Sequence, residues 1–395
     1  MKLWMKIFIG LIAGTAIGSF LGEKALVLKP IGDLFLNAIK MMIIPLVFSS
    51  LISAISGFQD TKKLSRIGIK SFAWFLITTL IAISIGLGTA LLIQPGTGSH
   101  WISTTPNPKP QTISIGETLM TIIPKNPIAA MASGNILQII VFSLLFGTAI
   151  VLVGEKAKPI TVFFSAVQAV MTKLTSLVMQ TAPYGVFALM AVVSGTNGLS
   201  VLLHLMKLIL SVGIACATHS LLIYGGLLLL VVRINPIQFF KNIAGVALVA
   251  FTTTSAAATL PITIECAQKK LGISNSLANF VLPIGATVCM NGTAIYQSIT
   301  AIFVAQFFGI HLALGQYLAI IVSTTLASLA TGGISGGGFV MLGFILASAG
   351  LPIEGIALVA GIDRILDMIR TPTNVAGHCV IAQLISKSEE NYGKL

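Results

Sequence analysis

Five side chains that can bind ions or exchange protons lie along one segment near the C-terminus. Asp363, Asp367, Arg370, Asn374 and His378 are spaced four, three, four and four residues apart. On an α-helix this spacing places all five on one face. The surrounding sequence is apolar, and ionisable groups inside a membrane helix are costly unless they face a cavity or one another. The pattern therefore predicts a helix that lines a polar cavity.

The residues of this face match the charges of an acidic amino acid. The planar guanidinium of Arg370 can bind a carboxylate through two hydrogen bonds. Asp367, one turn earlier, can accept hydrogen bonds from an ammonium group, and Asn374 with a helix terminus can hold a second carboxylate. The alternative is a set of buried structural ion pairs, which accounts for Asp363 but not for the neutral Thr371 and Asn374 on the same side.

Composition predicts an all-α polytopic membrane protein. Of the 395 residues, 55% are hydrophobic and 9% are charged, whereas roughly a quarter of the residues in soluble domains are charged. The mean hydropathy is +0.99, and the apolar stretches have the length of spanning helices rather than of barrel strands. The four cysteines include no Cys-x-x-Cys pair, so we expect buried thiols rather than disulfides or a metal site.

The formal net charge of +12 follows the positive-inside rule and does not indicate nucleic-acid binding, because the basic residues lie in short gaps between apolar runs. We expect these gaps and both termini on the cytoplasmic side of a bacterial inner (plasma) membrane, with membrane lipid around the chain. The gaps contain Lys62, Lys63, Arg66 and Lys70; Lys156 and Lys158; Arg233 and Lys241; and Lys269 and Lys270.

The apolar runs predict eight transmembrane helices. We expect spans over residues 4–22, 33–56, 71–94, 116–153, 159–196, 200–232, 274–308 and 353–385, the seventh interrupted at 285–293. The stretch 95–115 is polar and predicts an external loop, with Trp101 as an interfacial anchor.

Two further segments, 236–268 and 312–349, predict hairpins with arms too short to span a membrane and with tips rich in Ser, Thr and Gly. Each precedes an interrupted or polar helix, which indicates inverted repeats of the kind that build transporter sites. Backbone groups at such tips are tolerated at membrane depth only where they line a cavity or are buried in protein. The Gly-rich run 332–338 predicts a gate rather than a phosphate loop, since no Gly-Lys-Ser/Thr follows it.

Enzyme motifs are missing from the sequence. It has no His-Glu-x-x-His motif for an intramembrane metalloprotease and no Gly-x-Ser-x-Gly motif for a serine hydrolase. We therefore do not expect an enzyme.

Nearly the whole chain closely resembles the glutamate/aspartate transporters of the dicarboxylate/amino acid:cation symporter family. The motifs that carry the resemblance are Ala-Thr-Leu-Pro (258–261), Gly-Ala-Thr (285–287), Met-Asn-Gly-Thr-Ala-Ile-Tyr-Gln (290–297), the run 328–338, and Asp-x-x-x-Asp-x-x-Arg-Thr-x-x-Asn (363–374). The resemblance implies a homotrimer with eight spans and two re-entrant hairpins, working by an elevator mechanism. It implies a scaffold of residues 1–70 and 95–196 and a transport domain of residues 71–94 and 197–395.

The same resemblance implies roles in substrate binding. Arg370 would hold the side-chain carboxylate of the substrate, and Asp367 would hold its amino group. Asn374 and Thr371 would hold the main-chain carboxylate, with help from Ser255 and the second hairpin. The implied substrate site is completed by Thr293 and by Gly333.

Three positions depart from the sodium-coupled members of that family. Those members carry Asn-Met-Asp-Gly-Thr where this chain has Cys289-Met-Asn291-Gly-Thr, and an aspartate where it has His378. Sodium is a hard cation that prefers oxygen ligands, whereas an imidazole titrates near neutral pH. We therefore predict proton coupling through His378, with Asp363 or Asp367 as the alternate carrier. The residues implied for one residual sodium site are retained: Thr287, Met290, Ser328 and Thr331.

The sequence thus predicts a proton-coupled, sodium-independent symporter of glutamate or aspartate, with no cofactor besides the co-transported ion. The alternative within the class is a sodium-coupled symporter of glutamate, aspartate or dicarboxylates. The alternative from another class is a substrate-gated anion channel, or a non-transporting receptor, on the same fold.

Overall fold

The computed structural model describes residues 3–56, 62–98, 123–134, 136–198, 200–331, 333 and 336–392. Within these ranges the chain is almost entirely helical and contains no strand. Trp101 and most of the predicted external loop lie outside the described residues. The predicted all-helical class is therefore confirmed for the part of the chain that the structure describes.

The first half of the chain forms mostly long apolar helices. In order they are α1 (Leu3–Leu21), α2 (Lys29–Ser56), α3 (Lys62–Ile93), α4 (Pro127–Ser133), α5 (Ile136–Val153), α6 (Lys158–Gln180), α7 (Ala182–Asn197) and α8 (Ser200–Thr218). Helix α8 continues into two π-helical segments, His219–Tyr224 and Leu227–Val232.

The second half forms mostly shorter helices, several of which meet in pairs, and ends in one long helix. They are α9 (Pro236–Thr253), α10 (Ala256–Lys269), α11 (Asn275–Val288), α12 (Asn291–Phe307), α13 (Leu314–Ala330), α14 (Gly337–Ser348), α15 (Gly355–Ala360) and α16 (Asp363–Tyr392). The pairs α9–α10 and α13–α14 occupy the two predicted hairpins, and α11–α12 is the predicted interrupted helix.

Two sequence-based boundaries are wrong. The single span expected over 159–196 is two helices that meet at Thr181. Pro183 has no N–H to bond four residues back, so it favours a helix start there over a continuous helix. The basic gap that contains Lys62, Lys63, Arg66 and Lys70 is not a separate loop, because α3 begins at Lys62.

Small residues bring α1 and α7 into close contact. Gly10, Gly14 and Gly18 recur every four residues on one face of α1, and a Cβ atom at any of them would overlap backbone oxygens of α7. A small-xxx-small face of this kind lets two membrane helices approach through van der Waals packing. Helix α2 packs against α5, α6 and α7, so these helices form one contiguous group.

Helices α12 and α16 form the centre of the rest of the chain. Helix α12 packs against α3, α13 and α16, while α16 also contacts α8, α9 and α11. The side chains of α12 are buried almost along its whole length. The polar side chains near the N-terminus of α12 are therefore held in the interior of the protein.

Five segments of the described chain have the length and apolar composition needed to cross a membrane. They are Met5–Ser53, Arg66–Ile93, Val141–Gln180, Ser200–Val232 and Asn275–Phe307. The apolar helices around α7, α13 and α14 are shorter. Several apolar helices support a membrane protein, whereas the count of eight spans stays a prediction.

Candidate substrate site

The site lies where α16 passes the two hairpin tips and the break between α11 and α12. Asp363, Asp367, Arg370, Asn374 and His378 are all on α16, and each is at most 5% exposed. The structure thus places the five on a single buried helix, as their spacing predicts. The cost of burying these groups means that their partners decide what the site can bind.

Arg370 lies between two carboxylates of its own helix. Its Nη1 donates to Oδ1 of Asp363 at 3.1 Å, and its Nε donates to Oδ1 of Asp367 at 3.0 Å. The guanidinium also lies 4.1 Å from the centre of the Tyr296 ring, on α12, where the face of the ring attracts a cation. Two carboxylates and one guanidinium leave this cluster with one net negative charge.

Asp367 reaches both the second hairpin and its own helix. Its Oδ2 accepts a hydrogen bond from the backbone N–H of Gly336, at 3.2 Å, and its Oδ1 accepts one from the Thr371 hydroxyl, also at 3.2 Å. Gly336 immediately precedes α14. The carboxylate that is predicted to hold an ammonium group therefore also contacts the hairpin.

Asn374 is held by the N-terminus of α12. Its Oδ1 accepts hydrogen bonds from the backbone N–H groups of Gly292, at 2.7 Å, and Thr293, at 3.2 Å, and its Nδ2 donates to the Thr293 hydroxyl at 3.1 Å. The first N–H groups of a helix have no partner within the helix. Asn374 satisfies two of them, which fixes the register of α16 against α12.

The two hairpin tips meet at Gly333. Its carbonyl oxygen accepts hydrogen bonds from the Ser255 hydroxyl, at 3.0 Å, and from the Ala257 N–H, at 3.1 Å. Ser255 also caps α10, because its Oγ accepts from the Ala258 N–H. Gly333 has a φ of +65°, and a Cβ there would overlap the carbonyl oxygen of Ala286, so glycine is required at this contact.

A small cavity lies between the tips and α16. Its volume is about 10 Å³, which is about the space of one water molecule. It is lined by Thr254, Ala256, Met290, Thr293, Thr331, Gly333, Gly338, Asp367, Arg370, Thr371 and Asn374. The structure therefore gathers most of the predicted substrate residues around one point, in a cavity too small to hold an amino acid.

His378 and Asp363 lie outside the lining of this cavity. The Nε2 of His378 lies 2.8 Å from the carbonyl oxygen of Cys289, at the break between α11 and α12. Asp363 is bound to Arg370, which itself lines the cavity. The predicted coupling residues thus occupy positions separate from the cavity.

The four residues of the implied residual sodium site are not gathered equally. Met290 and Thr331 line the cavity, whereas Thr287 and Ser328 do not. The hydroxyls of Thr287, Ser328 and Thr331 all donate to carbonyls of their own helices, at 2.9, 2.7 and 2.7 Å. Across the described residues, no group of three or more His, Cys, Asp or Glu side chains is arranged to hold a metal ion.

Sequence reasoning assigned no role to two side chains of α12 that contact the site. Tyr296 lies against Arg370, and the Nε2 of Gln297 donates to the carbonyl oxygen of Gly338 at 3.0 Å. Tyr296 and Gln297 lie three and four residues after Thr293. On a helix this spacing places them on the same face as Thr293, so the sequence could have predicted that they lie near the site.

The motifs and geometry agree with comparisons against known proteins. A family model described as the sodium:dicarboxylate symporter family matches residues 3–388. The chain belongs to the sodium:dicarboxylate symporter family. This confirms the resemblance inferred from the motifs, and since the family consists of symporters, it also confirms that the chain is not an enzyme.

Relatives within this symporter family cover almost the full chain. The chain is 37% identical over 403 residues to a proton/sodium-glutamate symport protein of Geobacillus stearothermophilus, which covers 98% of this chain and 95% of the relative. It is 34% identical over 414 residues to a proton/glutamate-aspartate symporter of Escherichia coli K12, covering 99% and 93%. It is also 34% identical over 401 residues to a C4-dicarboxylate transport protein of Agrobacterium fabrum, covering 98% and 88%.

Proposed function

We propose that this chain is a proton-coupled, sodium-independent symporter of glutamate or aspartate in the bacterial inner membrane, with both termini cytoplasmic. The observation that carries the proposal is Arg370, buried against Asp363 and Asp367 beside a closed cavity. Arg370 would bind the side-chain carboxylate of the substrate, while Asp367 would bind its ammonium group. Thr371 and Asn374, with Ser255, would hold the main-chain carboxylate, and Thr293 and Gly333 would complete the site.

Charge balance supports symport with a cation. The Asp363–Arg370–Asp367 cluster already carries one net negative charge, and glutamate or aspartate would bring a second. Uncompensated charge in a dry interior is strongly unfavourable. A proton at His378, or at Asp363 as the alternate, would offset the substrate charge. This chain has Asn291 and His378 where sodium-coupled members of the family carry two carboxylates. The loss of these carboxylates favours a proton over sodium as the coupled cation. A contribution from sodium would use the residual site of Thr287, Met290, Ser328 and Thr331.

The transport cycle that we propose follows the elevator arrangement of the family. Eight spans and two re-entrant hairpins would form a homotrimer with a scaffold of residues 1–70 and 95–196. The transport domain, residues 71–94 and 197–395, would carry the substrate across the membrane. The contact of Ser255 and Ala257 with Gly333 would be the closed gate, because both bonds must break or move before a substrate can enter.

Uptake into proteoliposomes tests this proposal. We expect labelled L-glutamate or L-aspartate to accumulate above its external concentration when the outside is acidic, equally in sodium and in choline buffer, and to stop when a protonophore is added. Accumulation that requires sodium and ignores the pH gradient would support the sodium-coupled alternative. Equilibration without accumulation would instead indicate a channel, since a channel cannot concentrate its solute.

The dicarboxylate alternative is tested by competition in the same assay. Asp367 supplies a carboxylate that an ammonium group can neutralise, and succinate lacks that group. We therefore expect unlabelled L-aspartate to compete well and succinate to compete poorly. Equal competition would assign the site to dicarboxylates.

A further inference from the structure

His219 is a buried histidine that the proposed substrate site does not use. It is fully buried at the start of the π-helical segment His219–Tyr224. Its Nε2 lies 3.4 Å from Nδ2 of Asn291. Among the described residues, its Nδ1 has no hydrogen-bond partner. Buried polar atoms without a partner are rare in proteins, so this nitrogen calls for an explanation.

The π-helix explains how His219 and Tyr224 come together. Residues five apart on an α-helix diverge by about 140°, because one turn takes 3.6 residues. In a π-helix the backbone bonds run between residues five apart, which brings them near the same face. The rings of His219 and Tyr224 accordingly lie 4.6 Å apart between centroids, and both reach Asn291 on α12.

The partners of Asn291 fix the orientation of its amide. The Tyr224 hydroxyl donates to the carbonyl oxygen of Thr373, at 3.2 Å, and therefore accepts from the Asn291 Nδ2, at 2.9 Å. The Thr79 hydroxyl donates to Oδ1 of the same amide at 2.7 Å. The NH₂ group thus faces His219, whose Nε2 must be an acceptor. A neutral ring with its hydrogen on Nδ1 satisfies this pattern.

We propose that His219 is a second proton-binding site of the transport cycle and that the Asn291 amide rotates when His219 takes up its proton. The inference rests on the proposed proton coupling. A proton on Nε2 would face the NH₂ group of Asn291, so the amide turns its oxygen toward the ring. That oxygen then also faces the Tyr224 hydroxyl, which has one hydrogen and cannot donate to both Asn291 and Thr373.

This switch connects His219 to the substrate site by two routes. Tyr224 bonds the carbonyl of Thr373, which lies on α16 between the proposed substrate residues Thr371 and Asn374. Asn291 is the first residue of α12, and the next two N–H groups hold the side chain of Asn374. A proton at His219 therefore changes the hydrogen bond that Tyr224 donates to Thr373, next to Asn374.

The surroundings of His219 determine when it can be protonated. The titratable groups around this cluster are Tyr224 on the same segment, Cys216 just before it, and Cys289 from the α11–α12 break, whose carbonyl accepts from His378. The charge of Arg370 reaches Cys216. In the described chain no carboxylate bonds to His219. A protonated His219 therefore needs a water molecule at Nδ1. We infer that His219 takes up its proton in a conformation that lets water reach this nitrogen.

Counting protons per substrate tests the inference. Purified protein in liposomes at zero membrane potential is given L-aspartate, and a pH-sensitive dye reports the protons that enter. We expect His219→Gln to lower proton uptake by about one per substrate, as linkage requires for the loss of one site. His311→Gln, which changes an exposed histidine, should match the wild type.

The outcomes separate this inference from the proposed function. If the wild type takes up no protons with its substrate, the proposed proton coupling fails. If the wild type takes up protons and His219→Gln takes up the same number, only the role of His219 fails.

A second variant tests the route without removing the histidine. Tyr224→Phe keeps the ring but lacks the hydroxyl that joins Asn291 to Thr373. We expect the Kd for L-aspartate to depend less steeply on pH than in the wild type, because the proton no longer alters the bond to α16. An unchanged slope, in a variant of unchanged thermal stability, would contradict the route through Tyr224.

Discussion

The Nε2–H of His378 donates a hydrogen bond to the carbonyl oxygen of Cys289, at 2.8 Å. A carbonyl oxygen only accepts, so this nitrogen carries a hydrogen and a further proton would add at Nδ1. Cys289 has extended backbone geometry at the end of α11, which leaves its carbonyl outside regular helical bonding. His378 thus connects α16 to the break in the helix that holds Asn291.

His378→Gln tests whether this histidine carries a proton. Glutamine can keep a hydrogen bond to Cys289 but cannot take up a proton at neutral pH. We expect the stimulation of uptake by an inward proton gradient to fall several-fold while the variant still binds substrate. If the gradient stimulates uptake as strongly as in the wild type, His378 is a structural residue. His311→Gln is the matched control, since that histidine is exposed.

The double substitution Asn291→Asp with His378→Asp tests the loss of sodium dependence. It restores carboxylates at the two positions where sodium-coupled members of the family carry them, and carboxylate oxygens are the ligands that hard cations prefer. We expect uptake by the double variant to require sodium and to lose its dependence on the pH gradient. Sodium-independent uptake by this variant would show that other residues determine the coupling ion.

Arg370→Cys tests the proposed recognition of the substrate side chain. Hydrogen bonds to a charged group contribute about 1.5–3 kcal/mol, so we expect affinity for glutamate and aspartate to fall roughly 10- to 100-fold. Small neutral amino acids should then compete better. Binding is measured by calorimetry, with Arg233→Gln as the control because Arg233 is exposed at the end of a π-helical segment. An unchanged glutamate affinity would make Arg370 a purely structural residue.

Gly14→Ala tests the close packing of α1 on α7. A Cβ at residue 14 would overlap the backbone of Phe187, whereas a Cβ at Gly88 in α3 would meet nothing within 4 Å. Overpacking costs about 1–3 kcal/mol, so Gly14→Ala should lower the Tm clearly. Gly88→Ala should leave the Tm unchanged or raise it, because alanine favours a helix by up to about 1 kcal/mol. Equal Tm values for the two variants would contradict the packing.

Because Glu389 forms ion pairs near the end of α16, we expect the stability of the protein to depend on pH. Partial burial raises the pKa of Glu389, but the hydrogen bonds and charges of Lys70 and Arg66 outweigh it and hold the pKa below its ordinary value. A lowered pKa in the folded state gives stability that is present at neutral pH and is lost as the pH falls through that pKa. Such half-exposed pairs contribute up to about 1 kcal/mol each.

The measurement is the Tm of the wild type and of Glu389→Gln across acidic and neutral pH. We expect the variant to have the lower Tm at pH 7 and the two values to converge in acid. A difference that stays constant with pH would show that Glu389 stabilises the protein through packing rather than through its charge.

Local periodicity was enough to predict part of this protein from its sequence. The spacing from Asp363 to His378 predicts one polar face, and the structure places these residues on one buried helix. The sequence also predicts a break within each of the segments 236–268 and 312–349, because small and hydroxyl residues interrupt their apolar runs, and the structure has a pair of helices in each. These features follow from the pitch of a helix and from the cost of polar groups in an apolar environment.

Contacts between distant segments required the tertiary structure. Sequence spacing could not show that the Gly333 carbonyl bonds Ser255, since 78 residues separate them, or that Asn374 caps α12. The five-residue spacing of His219 and Tyr224 does not fit one face of an α-helix, so sequence periodicity does not bring them together. Only the π-helical backbone and the packing of α12 bring them to Asn291. The apolar sequence around the polar groups of α16 determined that they are buried. The tertiary packing decided which buried polar groups form hydrogen bonds with one another.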